Sequence, residues 1–206
     1  MAAAPKTQAS PGPPRARRRG QALEDAILQA AWEEARSAGY DKLTMDAVAT
    51  RAGAARSVIY RRWPNRATLV RAAVRHRLGS LTDDVPDTGE LREDLLSVLR
   101  RLREYCEQAG FDIIHGLLRE LSDIPRDVFA VTPEVVTVIL QHAAGRGEVH
   151  PERITPRITA LPGNLIRHEL LIPHGDLSDA ALAGIVDEIF LPLVQVRRGP
   201  ARKVKA

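Results

Sequence analysis

The chain has 206 residues, 44% hydrophobic but only 4% aromatic, so it forms one large or two small domains around cores of Leu, Val, Ile and Ala. Its single cysteine, Cys106, excludes an intrachain disulfide, and no apolar run approaches the roughly 18 residues that cross a bilayer or resembles a secretory core, which points to a cytoplasmic protein with no membrane partner. The net charge of +4 hides a split: residues 1–80 carry 15 Lys and Arg against 6 Asp and Glu, residues 81–196 carry 10 against 20, and the last ten residues add five positive charges.

Residues 1–19 are rich in Pro, Ala and Arg without apolar periodicity and read as a disordered basic arm, able to aid solubility or to reach phosphates or a minor groove. Leu23, Ile27, Ala31, Ala35 and Ala38 then recur every three or four residues, predicting a first helix over about 21–38 that Gly39 stops. Thr44 caps a second helix that Gly53 breaks, a third spans about 55–62 before Pro64, and Asn65 caps a fourth carrying Leu69, Ala72 and Ala73.

Beyond the "DDVPDTGE" loop, Leu91 to Leu102 mark a fifth helix to about 109, where Cys106 reads as a plain buried thiol, and Ile113 to Leu121 mark a sixth. Thr132 and Pro133 open a seventh, ending at Gly145 or Gly147, and residues 155–172 form an eighth, distorted at Pro162 and Gly163. Ser178 caps the last helix, with Leu177 placed to staple against Leu182. The apolar residues of that helix cover more than one face, which points to a partner subunit, with Leu182, Ile185, Val186, Ile189 and Leu193 as the candidate interface.

The basic third contains two short helices joined by a glycine turn. Val48, Ala49, Ala52, Ile59 and Trp63 can pack against the first helix, leaving Ser57, Tyr60 and Arg61 on one outward stripe with Arg56 at its start. That is the layout of a helix-turn-helix reading a DNA major groove, where an arginine fork matches guanine O6 and N7. Thr44, Tyr60 and Arg66 are the candidate phosphate contacts.

Residues 27–74, with Gly39-Tyr40, Leu43-Thr44-Met45, Val48-Ala49, Ala52-Gly53, Ile59-Tyr60, Trp63-Pro64 and Leu69, resemble the DNA-binding domain of the TetR family of bacterial transcriptional regulators. "GRGEV" at 145–149 and residues 169–194 resemble, less closely, the C-terminal domain of one branch of that family. The resemblance implies an all-α homodimer of about nine helices per chain, with a helix-turn-helix domain over 20–66, an effector-binding and dimerisation domain over 67–196, and a basic tail over 197–206. It implies a repressor that binds a near-palindromic operator and is released by a small molecule, the fourth helix acting as lever between Arg66 and Leu69. Position 55 departs from the family: alanine stands where a Ser or Thr cap is usual.

Candidate effector-pocket residues are Tyr105, Phe111, His115, Arg119, Phe129, His142, Asn164 and His168, each interrupting or ending an apolar face. A ligand-independent or activating DNA-binding protein of the same fold is the alternative function. Catalysis finds little support: His115 with Arg119 and Glu120, and His142 with Glu148 and His150, lack metal-ligand spacing, and no phosphate-cradling loop or activated nucleophile is present. No cofactor or metal is called for.

Overall fold

The computed structural model describes residues 15–80, 84–120, 133–172 and 175–195. The fold is all-α, and the chain divides into two compact units between Arg77 and Leu78.

The N-terminal unit comprises α1 (Arg15–Ala38), α2 (Met45–Ala52), α3 (Arg56–Arg62) and α4 (Arg66–Leu78). α1 begins at Arg15, so residues 15–19, expected in the disordered arm, are helical instead; Arg and Ala are strong helix formers, and extending an existing helix gains one bond per residue. Residues 1–14 of that arm and the tail at 197–206 lie outside the described residues. Ile27, Ala31 and Ala35 of α1 are buried, as are Tyr40, Leu43, Val48, Ala49, Ile59 and Trp63, and α2 packs on both α1 and α3. The unit boundary falls eleven residues beyond the one expected at 66, because α4 travels with the N-terminal unit. Arg66 and Asn65 fasten its first turn there, as described below.

The C-terminal unit is built on α5 (Leu91–Ala109), which packs against α6 (Phe111–Glu120), α7 (Pro133–Gly145) and the last helical segment. Leu91, Leu95, Leu96, Leu99 and Leu102 of α5 are buried, on the stripe the sequence predicts. Cys106 lies one turn further along, and burial pushes its thiol up to about 12, so it stays protonated and inert near neutral pH. α7 ends at Gly145 and the chain turns through Gly147 at φ 77, where Glu148 N–H bonds Ala143 O at 2.9 Å. A single 3₁₀ turn, Pro151–Arg153, leads to α8 (Pro156–Leu171), which Thr155 caps and which continues through the buried Pro162 and Gly163.

The "GRGEV" turn staples this unit. Arg146 donates to Glu148 Oε1 at 2.7 Å and to the fully buried Asp94 Oδ2 at 3.1 Å, and also pairs with Asp87. Asp94 Oδ1 accepts from the Thr88 N–H and hydroxyl at 2.6 and 2.8 Å, while Glu148 Oε2 accepts from Leu91 N–H at the start of α5 at 3.1 Å. The buried carboxylate is therefore matched by one guanidinium and two neutral donors, as a buried charge requires. Its hydrogen bond to Glu148 raises the pKa of the Arg146 guanidinium further, keeping it charged.

The final helical run changes period midway. α9 (Asp179–Gly184), which Ser178 caps, passes into a π-helical stretch, Ile185–Phe190, and then α10 (Leu191–Val194). Leu191 N–H bonds Val186 O, five residues back, and Pro192 next in line has no N–H to restore the tighter ladder. The extra residue shifts the buried stripe from Leu182, Ile185 and Val186 onto Phe190, Leu191 and Val194, leaving Ile189 and Leu193 outside at 41% and 43% exposure. The expected interface is corrected accordingly: Leu182, Ile185 and Val186 belong to the core of their own chain, and Ile189 and Leu193 alone of the five are exposed.

Candidate nucleic-acid interface

α2 starts where Thr44 Oγ1 accepts the Ala47 N–H at 3.1 Å, with Asp46 favourable in its first turn, and ends at Gly53, whose φ of 61 admits a tight reversal. Ala54 N–H closes that reversal on Ala49 O at 3.0 Å. α3 follows at once, and, as Ala55 implies, no side chain caps it. It is held from behind instead: Ile59 and Trp63 are buried, and Trp63 N–H bonds Ile59 O at 2.9 Å.

What remains on the front of α3 is the stripe the sequence predicts. Arg56, Ser57 and Arg61 are exposed, as is Tyr60 at 48% despite its size. Among the described residues Arg61 has no ion-pair partner, which leaves its guanidinium open to a contact from outside the chain. Thr44 is also exposed, its hydroxyl engaged in the cap but reachable.

Arg66 has a structural role that its spacing did not announce. Its Nη1 donates to the carbonyls of Tyr40 and Asp41 at 3.2 and 2.9 Å, and its guanidinium lies 4.6 Å from the centre of the Tyr40 ring. It clamps the loop between α1 and α2 onto the start of α4, because orphan carbonyls after α1 lie within its reach. The α4 N-terminus is closed separately: Asn65 Oδ1 accepts Thr68 N–H at 2.9 Å, and Asn65 N–H donates to Thr68 Oγ1 at 3.4 Å.

Three other arginines of the unit pair with carboxylates on neighbouring helices, contacts that spacing alone did not reveal. Arg51 donates through Nε and Nη2 to Glu34 at 3.0 and 2.8 Å, and Arg62 pairs with Glu24. Arg56 pairs through Nη2 with Asp46. A carboxylate inside an otherwise basic stretch is the sequence signal for the Asp46 contact.

The described candidate effector residues are distributed over α5, α6, α7 and α8 of the C-terminal unit. On α6, Phe111, His115 and Arg119 occupy successive turns of an exposed stripe, with the Phe111 and His115 rings 6.4 Å apart, while Ile113, Ile114, Leu117 and Leu118 are buried. His142 is exposed with Nδ1 3.5 Å from Asp87, and Asn164 and His168 are exposed on α8. They interrupt the apolar pattern because they face solvent. Tyr105 is half-buried and Phe129 lies outside the described residues. Among the described residues no group of three or more His, Cys, Asp or Glu is gathered as metal ligands, and no helix is long and apolar enough to cross a membrane.

A capped helix, a glycine turn and a second helix braced on a third, with polar and basic side chains displayed in front, define a helix-turn-helix DNA-binding protein. Residues 27–73 match the model for bacterial regulatory proteins of the tetR family, and residues 85–189 match the tetracyclin repressor-like C-terminal domain. The chain belongs to the TetR family of transcriptional regulators. It is 33% identical to a DNA-binding transcriptional repressor TetR of Mycobacteroides abscessus, over 86% of this chain and 96% of that protein. It is 36% identical to the uncharacterized HTH-type transcriptional regulator Mb1581 of Mycobacterium bovis, over 75% of this chain and 79% of the other. Among solved structures, the TetR family transcription regulator SCO0332 superposes with a TM-score of 0.65 at 24% identity, covering 84% of this chain and 99% of that one, which shows the shared fold. The family is one of regulators and not of enzymes.

Proposed function

We propose that the protein is a repressor that binds a near-palindromic operator as a homodimer and leaves it when a small molecule binds the C-terminal unit. The observation that carries the reading is the front of α3: Arg56, Ser57, Tyr60 and Arg61 exposed on a helix whose opposite side is buried through Ile59 and Trp63. Arg56 and Arg61 supply forks for guanine, Tyr60 and Thr44 supply phosphate donors, and two copies one DNA turn apart read two half-sites.

Dimerisation is supported by the apolar residues left outside the fold. Ile189 and Leu193 are exposed, as are Leu171 and Ile172 at the end of α8, which packs against the π-helical stretch. Large aliphatics left exposed on a helical unit favour burial against a second copy. Repression is supported by the M. abscessus relative, which is named a repressor. A small-molecule effector is supported by two structural neighbours at TM-score 0.53, one named a flavonoid-responsive regulator and one solved as a complex with triclosan. The effector acts only through its differential affinity for the DNA-binding and released states, and α4 is where the chain passes from one unit to the next.

Protection mapping of DNA upstream of the protein's own and neighbouring genes tests the reading. A protected, two-fold symmetric site is expected, bound by a dimer in light scattering. A monomer, or equal affinity for all duplexes, overturns it.

A further inference from the structure

We infer that Asp46 is a specificity-determining residue that positions Arg56 for base reading, an inference that rests on the DNA-binding role proposed above. Asp46 is the one acidic residue between Lys42 and Arg77, a stretch with seven arginines besides Arg77, so it stands on the face expected to meet phosphates. An exposed carboxylate there repels the DNA backbone and lowers affinity for every sequence alike. Its place is explained by what it touches: the Arg56 Nη2 at the first residue of α3.

The geometry suits that role. Asp46 lies in the first turn of α2, which Thr44 caps, and Gly53 fixes the angle at which α3 leaves, so the carboxylate is presented from a closed frame. The Arg56 side chain is 64% exposed and that of Asp46 50%, so solvent and salt weaken the pair as a stabiliser, leaving orientation as its main effect. Asp46 occupies a donor of Nη2 and leaves most of the five guanidinium N–H groups open, enough for a bidentate contact to guanine O6 and N7. Holding a long side chain in one rotamer before DNA arrives reduces the ordering cost of that contact. Wrong bases gain nothing from it, so the carboxylate exchanges general affinity for discrimination at one base pair in each half-site.

The test compares full-length wild type, R56A, D46A, D46N and the double variant R56A/D46A for base preference at every position of the selected site, using duplex libraries read by sequencing. R56A is expected to erase a preference of roughly one to two orders of magnitude at one position per half-site. D46A and D46N are expected to weaken that same preference by about fivefold, tighten binding to unrelated DNA, and add nothing to R56A in the double variant. If both Asp46 variants tighten binding to all sequences while every positional preference stays at the wild-type value, or if they change nothing, the inference is overturned and the helix-turn-helix reading stands. If wild type itself selects no sequence, that reading fails and the inference with it. Thermal unfolding of each variant within a few degrees of wild type confirms that an effect arises in the interface.

Discussion

Arginine does different work in the C-terminal unit and on the front of α3. In the C-terminal unit Arg92, Arg103 and Arg146 each reach an acidic residue distant in sequence: Arg92 binds Asp187 through Nε and Nη2 at 2.7 and 2.8 Å, Arg103 binds Asp179 at 2.8 Å, and Arg146 gathers Asp87, Asp94 and Glu148. On α3 Arg61 has no carboxylate partner among the described residues and Arg56 has only Asp46 on the adjoining helix. A positive charge becomes a staple when the fold closes several partners around it, and stays available for recognition when it is exposed with one carboxylate beside it or none. Arg66 shows that the division is not one of address, since it lies in the basic unit yet is held by two carbonyls and a ring.

The contrast is broken most severely at Arg146. R146M leaves the buried Asp94 carboxylate with neutral partners alone and is expected to lower stability by about 3 kcal/mol or more, seen as a lower denaturation midpoint. Replacing Arg56 and Tyr60 together with alanine is expected to do the reverse: about a hundredfold weaker operator binding by fluorescence anisotropy, with the unfolding curve unmoved. Should R146M spare stability or the double variant unfold the protein, the two uses of arginine are not distinct.

R66A sharpens the boundary case. It is expected to cost about 1 to 2 kcal/mol of stability while leaving the salt dependence of DNA binding unchanged; a phosphate contact would instead lower the slope of log affinity against log salt by about 0.9 per half-site. A55S restores a capping hydroxyl before α3 and is expected to add about 1 kcal/mol of stability.

The smallest effect concerns the surface staples. The hydrogen bond from Arg92 lowers the Asp187 pKa, and the hydrogen bond from Arg103 does the same for Asp179. A carboxylate whose folded pKa is depressed contributes stability that is complete above the ordinary carboxylate range and disappears as pH falls through its folded value. D187N is therefore expected to destabilise slightly near pH 7 and not at all in strong acid, and high salt at pH 7 is expected to shrink the difference, since the pair is exposed.

The helices and the front of α3 were legible in the sequence because each rests on local rules. Thr44, Asn65 and Ser178 cap where they were expected to, and the alternation of Val48, Ala49, Ile59 and Trp63 with charged neighbours separates back from front. What escaped was decided by distance in space. Nothing within a few residues of Arg66 announces the Tyr40 and Asp41 carbonyls, nor does the neighbourhood of Arg146 announce Asp94, 52 positions away. The effector candidates show a related point: a polar residue interrupting an apolar run marks a solvent-facing position as readily as a lining one, and Phe111, His115, His142, Asn164 and His168 are exposed.

The wider turn at Ile185–Phe190 has a consequence for how such chains diverge. Because it inserts one residue into the winding, it sets the rotational phase of everything after it, and Ile189 and Leu193 owe their outward position to it. Loss of a single codon in that stretch would rewind the rod and turn a different set of side chains toward any neighbour. A one-residue gap here thus exchanges an entire contact surface at once, a change that point substitutions would need several steps to match.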